Sequence, residues 1–218
     1  MSWDHRFQKE YFRRLHPRIS KLGLTGAPEL LREISAEADR IVQQYSHLVA
    51  DEATMPHLRL TSSVLASYQA LAQTPLPQAR LVDLIEDVFG SIGRASLRLY
   101  TQALMMFSKD PFSAITRAGK KRAQEQYGAA WRFAFEETDA SFTMTTTKCF
   151  YQDFFVAAGA PQLTRVFCSW DQNWIEPVKA TKHGVAFERL TTMGLGGTEC
   201  PFVFTRTKSR ALSSRADG

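Results

Sequence analysis

The amino-acid sequence predicts an α+β protein, a helical N-terminal part packed on a small antiparallel β-β-α-α-β-β unit. Two observations carry this prediction. Up to about Tyr127, apolar side chains recur at i, i+3, i+4 and i+7, the period of a helix with one buried face. From Trp131 the pattern changes to alternation rich in aromatic and β-branched residues, the period of a half-buried strand. With 218 residues, 44% of them apolar and 22% charged, the chain can bury a sizeable core. No composition shift or polar linker divides it. The reading is therefore a single α+β domain over 1–208, helical over 1–130 and sheet-containing over 131–208. Residues 209–218, small, polar and basic, are expected to form a flexible tail.

The elements follow in order. His5 to Ile19 places Phe7, Tyr11, Phe12 and Leu15 at helical spacing, with Pro17 as an expected interruption. Thr25-Gly26-Ala27-Pro28 reads as a cap with proline in the first turn. Leu30, Leu31, Ile34, Ala38, Ile41, Val42, Tyr45 and Leu48 then trace one face of an amphipathic helix. After a break from Asp51 to Pro56, His57 to Gln73 forms another helix, closed by Thr74-Pro75-Leu76-Pro77. Leu81 to Phe107 reads as the longest helix, with Gly90 and Gly93 inside it marking a kink or a close helix contact. Ser113 to Tyr127 is helical and basic at Lys120, Lys121 and Arg122. Two strands follow around a turn at Glu136 to Ala140. A helix then runs from Cys149 to Ala157, stopped by Gly159, and a second from Pro161 to about Trp174 or Ile175. The stretch 185–192 reads as a third strand, Gly194 to Thr198 as a glycine turn, and 200–207 as a fourth strand.

Charge and composition narrow the function classes. Net charge is +5, with basic residues concentrated near both ends. No run of lysine and arginine interleaved with aromatics accompanies them, so no nucleic-acid partner is expected. No apolar run approaches the roughly 18 residues of a membrane span, and the opening residues lack the apolar core of a secretory signal. Three cysteines without a pairing pattern argue against a disulfide framework and for a reducing, cytoplasmic setting. A small-molecule substrate is the expected partner, and self-association is left open.

Candidate chemistry concentrates between Phe142 and Phe204, which holds Cys149, Cys168 and Cys200. Cys149 opens a helix, whose free N–H groups favour a thiolate. Cys168 and Asp171 lie one helical turn apart, so a thiol and a carboxylate share a face. Such a pair can serve as nucleophile and orienting or proton-accepting partner. The carboxylate alone would raise the thiol pKa, so a cation such as Arg165 or Arg189 is needed nearby. Cys200 follows the glycine turn, whose backbone can approach an anion closely. That turn joins strands and is no dinucleotide loop. The cysteine spacings fit no zinc pattern, although three converging thiolates could hold a metal or iron–sulfur cluster. His57, beside a chain break, is a candidate pocket residue.

The arrangement Cys149…Gly159-x-Pro161-x-Leu163…Cys168-x-x-Asp171…Arg189-Leu190-Thr191-Thr192…Gly197-x-x-Cys200-x-Phe202 resembles the L-2-amino-thiazoline-4-carboxylic acid hydrolase family. The resemblance implies an α+β fold and opening of a thiazoline ring by water addition at its C=N carbon. In one respect the sequence departs from the family, which commonly carries an acidic residue after the last cysteine, where Pro201 stands here. The resulting expectation is a hydrolase acting on a C–N or C=N bond of a small cyclic anion, without cofactor or metal. Its catalytic candidates are Cys149, Cys168, Asp171 and Cys200; its substrate-binding candidates are His57, Arg189, Thr192, Gly196 and Gly197. The alternatives are a metal- or cluster-dependent redox enzyme using the three cysteines, and a non-catalytic binding protein of the same fold.

Overall fold

The structure, a computed structural model, describes residues 5–22 and 26–207. The Thr25 part of the expected cap and the expected tail at 209–218 lie outside those residues. Ten α-helices are described: α1 (His5–Lys21), α2 (Ala27–Gln44), α3 (Met55–Leu71), α4 (Gln78–Gly90), α5 (Arg94–Phe107), α6 (Pro111–Gln126), α7 (Phe150–Ala157), α8 (Thr164–Trp170), α9 (Gln172–Ile175) and α10 (Ala180–His183). Four strands, β1 (Arg132–Glu137), β2 (Ser141–Lys148), β3 (Val185–Glu188) and β4 (Cys200–Arg206), form one antiparallel sheet in the order β1-β2-β4-β3. The fold is α+β, as the change of period predicts.

The helical part is built around α3, buried on nearly every side from His57 to Tyr68. A helix apolar or small all round belongs in the middle of a bundle. Two of its hydroxyls are satisfied locally: Ser63 Oγ donates to the Arg59 carbonyl at 2.8 Å and Ser67 Oγ to the Ser63 carbonyl at 2.7 Å. Helix α1 covers it with Phe7, Tyr11, Leu15 and Ile19, one residue per turn. The expected interruption at Pro17 does not occur. Pro17 sits on the exposed face of α1, where the carbonyl it leaves unbonded faces water, so the helix continues to Lys21.

The helix predicted from Leu81 to Phe107 is two helices. Gly93 takes a left-handed conformation at φ 67°, open to glycine and strained for other residues, and starts α5. The carbonyls exposed at the break are capped from across the fold. Asn173 Nδ2 donates to Gly90 O at 2.8 Å and Trp170 Nε1 to Ile92 O at 2.9 Å. The helix expected from Pro161 is likewise divided into a 3-10 turn at Pro161–Leu163, α8 and α9, with Asp171 at the last junction.

In the sheet, period-2 alternation turns Phe142, Met144 and Thr146 of β2 and Cys200, Phe202 and Phe204 of β4 to one buried face. Register sets Cys200 opposite Thr146 and Phe202 opposite Met144. The third strand is shorter than expected, ending at Glu188. Continuing it would bring β3 level with Pro201, which has no N–H to give a ladder. Arg189 leaves the sheet instead and turns toward α8.

Two apolar clusters result, one among the helices and α7–α8, the other between the sheet and α6; Phe133, Trp174 and Met193 touch both. The outer edge of the second cluster is fastened by Arg206 of β4. It donates to both oxygens of Asp110, the N-cap of α6, at 2.8 and 2.6 Å, and to the Asp139 carbonyl at 2.8 Å. The guanidinium beside Asp110 holds its carboxyl well below the usual carboxylate range, with help from Ser113. Replacing Asp110 by Ala removes cap and clasp together and is expected to cost about 1–2 kcal/mol of unfolding free energy. Asp110→Asn keeps the cap and should cost less than about 1 kcal/mol, because the ion pair is largely solvated. Urea unfolding of the two variants measures the difference.

Candidate active site

Where the two clusters meet, the structure holds a cavity of about 530 Å³. Cys149, Cys168, Asp171, Arg189 and Cys200 all line it. Helix α7, the α8–α9 junction, the segment after β3 and the start of β4 thus deliver side chains to one space from four places in the chain.

Arg189 organises this wall. Its Nη1 donates to Asp171 Oδ2 at 2.9 Å, its Nη2 to the Cys168 carbonyl at 2.7 Å, and its guanidinium lies 5.0 Å from the centre of the Phe202 ring. The side chains of Arg189 and Asp171 are only 8% and 19% exposed, so each charge depends on the other. Trp174 Nε1 donates to the second oxygen, Asp171 Oδ1, at 3.1 Å. Both carboxylate oxygens are therefore occupied, which suits Asp171 to orienting Arg189. Arg165, the other cation considered from the sequence, faces away and pairs with Asp83 and Glu86.

The three thiols differ in environment. The Cys168 and Cys200 thiols are hydrogen-bonding neighbours, and this contact is the largest influence lowering the Cys168 pKa to about 7. The backbone N–H of Gly194 adds to it, while burial and the Asp171 charge oppose it. The buried Thr192 hydroxyl has no hydrogen bond of ordinary geometry, yet lies close enough to favour the Cys168 thiolate. The same contact, with burial, pushes the Cys200 pKa far up, although Met193 N–H donates to its sulfur at 3.2 Å. Cys149 is pushed up to about 12 by burial. The backbone N–H groups of Gln152 and Tyr151 do act on it as a helix start should, but desolvation outweighs them.

The remaining candidates fall outside this wall. His57 is fully buried behind it: Nε2 meets the Gln126 carbonyl at 3.1 Å, so Nε2 carries the proton, and Nδ1 accepts from the Tyr151 hydroxyl at 2.7 Å. Its place is to hold Tyr151, a cavity residue, rather than to meet a ligand directly. Gly196 and Gly197 lie in the turn before β4 and do not line the cavity. Gly194 is the glycine that matters there. A Cβ on it would come within 2.7 Å of the Arg165 backbone nitrogen and 2.9 Å of Cys168 Sγ. Among the described residues, no group of three or more His, Cys, Asp or Glu side chains could hold a metal ion. None of their helices is long and apolar enough to cross a membrane.

One cavity residue was missed among the candidates. Arg122 of α6 lies with its guanidinium carbon 5.2 Å from the Trp170 ring centre and 5.9 Å from that of Trp174. Its Nε is buried without a hydrogen-bond partner, the rest of the guanidinium meets the Tyr127 side chain, and among the described residues no carboxylate pairs with it. The signal was present: Arg122 follows Ile115 by seven residues and Gly119 by three, and all three line the cavity. The neighbouring Lys120 and Lys121 masked it by making the stretch look like a solvated basic face.

Burial lowers the His57 pKa from its ordinary 6.5 to about 4. Above pH 6.5 the ring is neutral both folded and unfolded. As pH falls from 6.5 toward 4 the unfolded chain binds a proton that the native state refuses, so stability falls by up to about 1.4 kcal/mol per pH unit. Comparing unfolding free energies of the protein and its His57→Gln variant between pH 6.5 and 5 should show this slope lost in the variant. Equal slopes would contradict the assignment.

A family model described as L-2-amino-thiazoline-4-carboxylic acid hydrolase matches residues 58–204, which take in all three cysteines, Asp171, Arg189 and Arg122. No curated protein matches the chain. Among solved structures, an Fe(II) unliganded H-NOX protein mutant from K. algicida is 15% identical, with 92% of this chain and 97% of that chain covered, at a TM-score of 0.27. A likeness that low carries no argument.

Proposed function

The chain belongs to the L-2-amino-thiazoline-4-carboxylic acid hydrolase family, and from that membership we propose that it hydrolyses a C–N or C=N bond of a cyclic anion of the thiazoline carboxylate kind, with Cys168 as nucleophile. The observation that supports this reading is the Cys168–Cys200 thiol pair on the wall of the cavity, with the Arg189–Asp171 ion pair behind it. A thiol lowered to about 7 is substantially ionised at neutral pH and can attack an electrophilic carbon.

In this reading the Cys168 thiolate attacks the C=N carbon. A carbon–sulfur bond forms, the π pair moves to the ring nitrogen, and that nitrogen takes the proton of the Cys200 thiol. The tetrahedral adduct expels the ring sulfur as a thiolate and the ring opens. Water then adds to the same carbon, a C=O forms as Cys168 departs as thiolate, and of the two water protons one restores Cys200 and the other goes to the expelled sulfur. The sum is substrate plus water to ring-opened product, with both thiols regenerated. Asp171 acts as an orienting group here. Through Arg189 it fixes the Cys168 carbonyl, and so the turn of α8 that carries the sulfur.

Turnover of 2-aminothiazoline-4-carboxylate by purified variants tests this. Cys168→Ser should lose at least about 10³-fold in kcat, Cys200→Ser about 10²-fold, and Cys149→Ser no more than about threefold. In the unaltered protein kcat/KM should rise with pH to a plateau, with an apparent pKa of about 7. Undiminished turnover by Cys168→Ser, or a greater loss in Cys149→Ser, would overturn the assignment.

A further inference from the structure

The cavity is out of proportion to a single five-membered ring. At about 530 Å³ it falls in the range of pockets that take drug-sized ligands, roughly 300–1,000 Å³. Much of its wall is aromatic and apolar, including Trp131, Phe133 and Tyr127 and, from α5, Leu97, Tyr100 and Leu104. The charges facing it nearly cancel. Asp171 is paired with Arg189, and Lys121 and Glu125, both mainly exposed, are 3.9 Å apart. What remains is Arg122, a guanidinium held against Trp170 and Trp174 with a buried, unpartnered Nε. The side chain as a whole is half-buried, and the Tyr127 hydroxyl is its hydrogen-bonding neighbour. A cation with a buried donor left over and no carboxylate beside it favours an anion, and its planar fork suits a carboxylate.

We propose that the substrate is a large amphipathic carboxylate: its carboxylate bound by Arg122, its extended aromatic or apolar body filling the cavity, its reactive C=N group at Cys168. The last element rests on the function proposed above; the first two do not. Phe202 of β4 adds an apolar face to the cavity.

The test is calorimetric binding to the full chain of three probes: 2-naphthoate, the isosteric neutral 2-naphthamide, and 2-aminothiazoline-4-carboxylate. The unaltered protein should bind 2-naphthoate at least about tenfold tighter than either other probe, the increment of a charge-assisted hydrogen bond. Arg122→Met should weaken 2-naphthoate by about tenfold to a hundredfold and leave 2-naphthamide within about twofold, which also shows that the cavity is intact. Arg122→Lys, which keeps the charge, should retain a preference for the acid over the amide. Neither naphthalene probe carries a C=N group for Cys168 to attack, so failure of the thiol chemistry and failure of this proposal are separable. The proposal is overturned if 2-naphthoate fails to bind, binds no tighter than 2-naphthamide or than the thiazoline carboxylate, or is indifferent to Arg122→Met.

Discussion

The buried pair of Arg189 and Asp171 is the constraint on which the cavity wall depends. Neither charge has enough water around it to stand alone, and removing one partner of such a pair typically costs about 3–5 kcal/mol. The pair therefore fixes where the chain can go. Arg189 must leave the sheet after β3, Asp171 must sit at the junction of α8 and α9, and Phe202 of β4 must lie under the guanidinium. Once these three points are set, Cys168 and Cys200 come together without a bond between them.

The site lies on a seam, and this explains its composition. The helical cluster and the sheet cluster each close on themselves and meet through a few shared side chains such as Phe133, Trp174 and Met193. Aromatic rings dominate the boundary because a ring can belong to one core by its face and border a space by its edge. Stacking of Arg122 on Trp170 and Trp174 uses the same rings to hold a cation at a largely aromatic wall.

Much of this was legible in the chain. The change from helical to alternating period near Trp131 placed the sheet, and inward alternation put Cys200, Phe202 and Phe204 on one face. Three things were hidden, each for a physical reason. The split at Gly90–Gly93 depends on Asn173 and Trp170 capping from eighty residues away, which periodicity does not register. The start of α7 gives Cys149 the N–H groups that favour a thiolate, but burial, a tertiary property, reverses the sign. Arg122 was concealed among lysines because local charge does not tell which of three cations turns inward.

The account depends on Cys168, and not Cys149, being the thiol that ionises near neutrality. Residue-resolved alkylation by iodoacetamide, followed by peptide mass spectrometry across pH 5 to 10 on the native protein, measures this directly. Cys168 should be modified first, with an apparent pKa of about 7, and Cys149 should stay protected throughout. Modification of Cys149 ahead of Cys168, or a Cys168 profile that rises only near the ordinary thiol value of about 8.5, would contradict it.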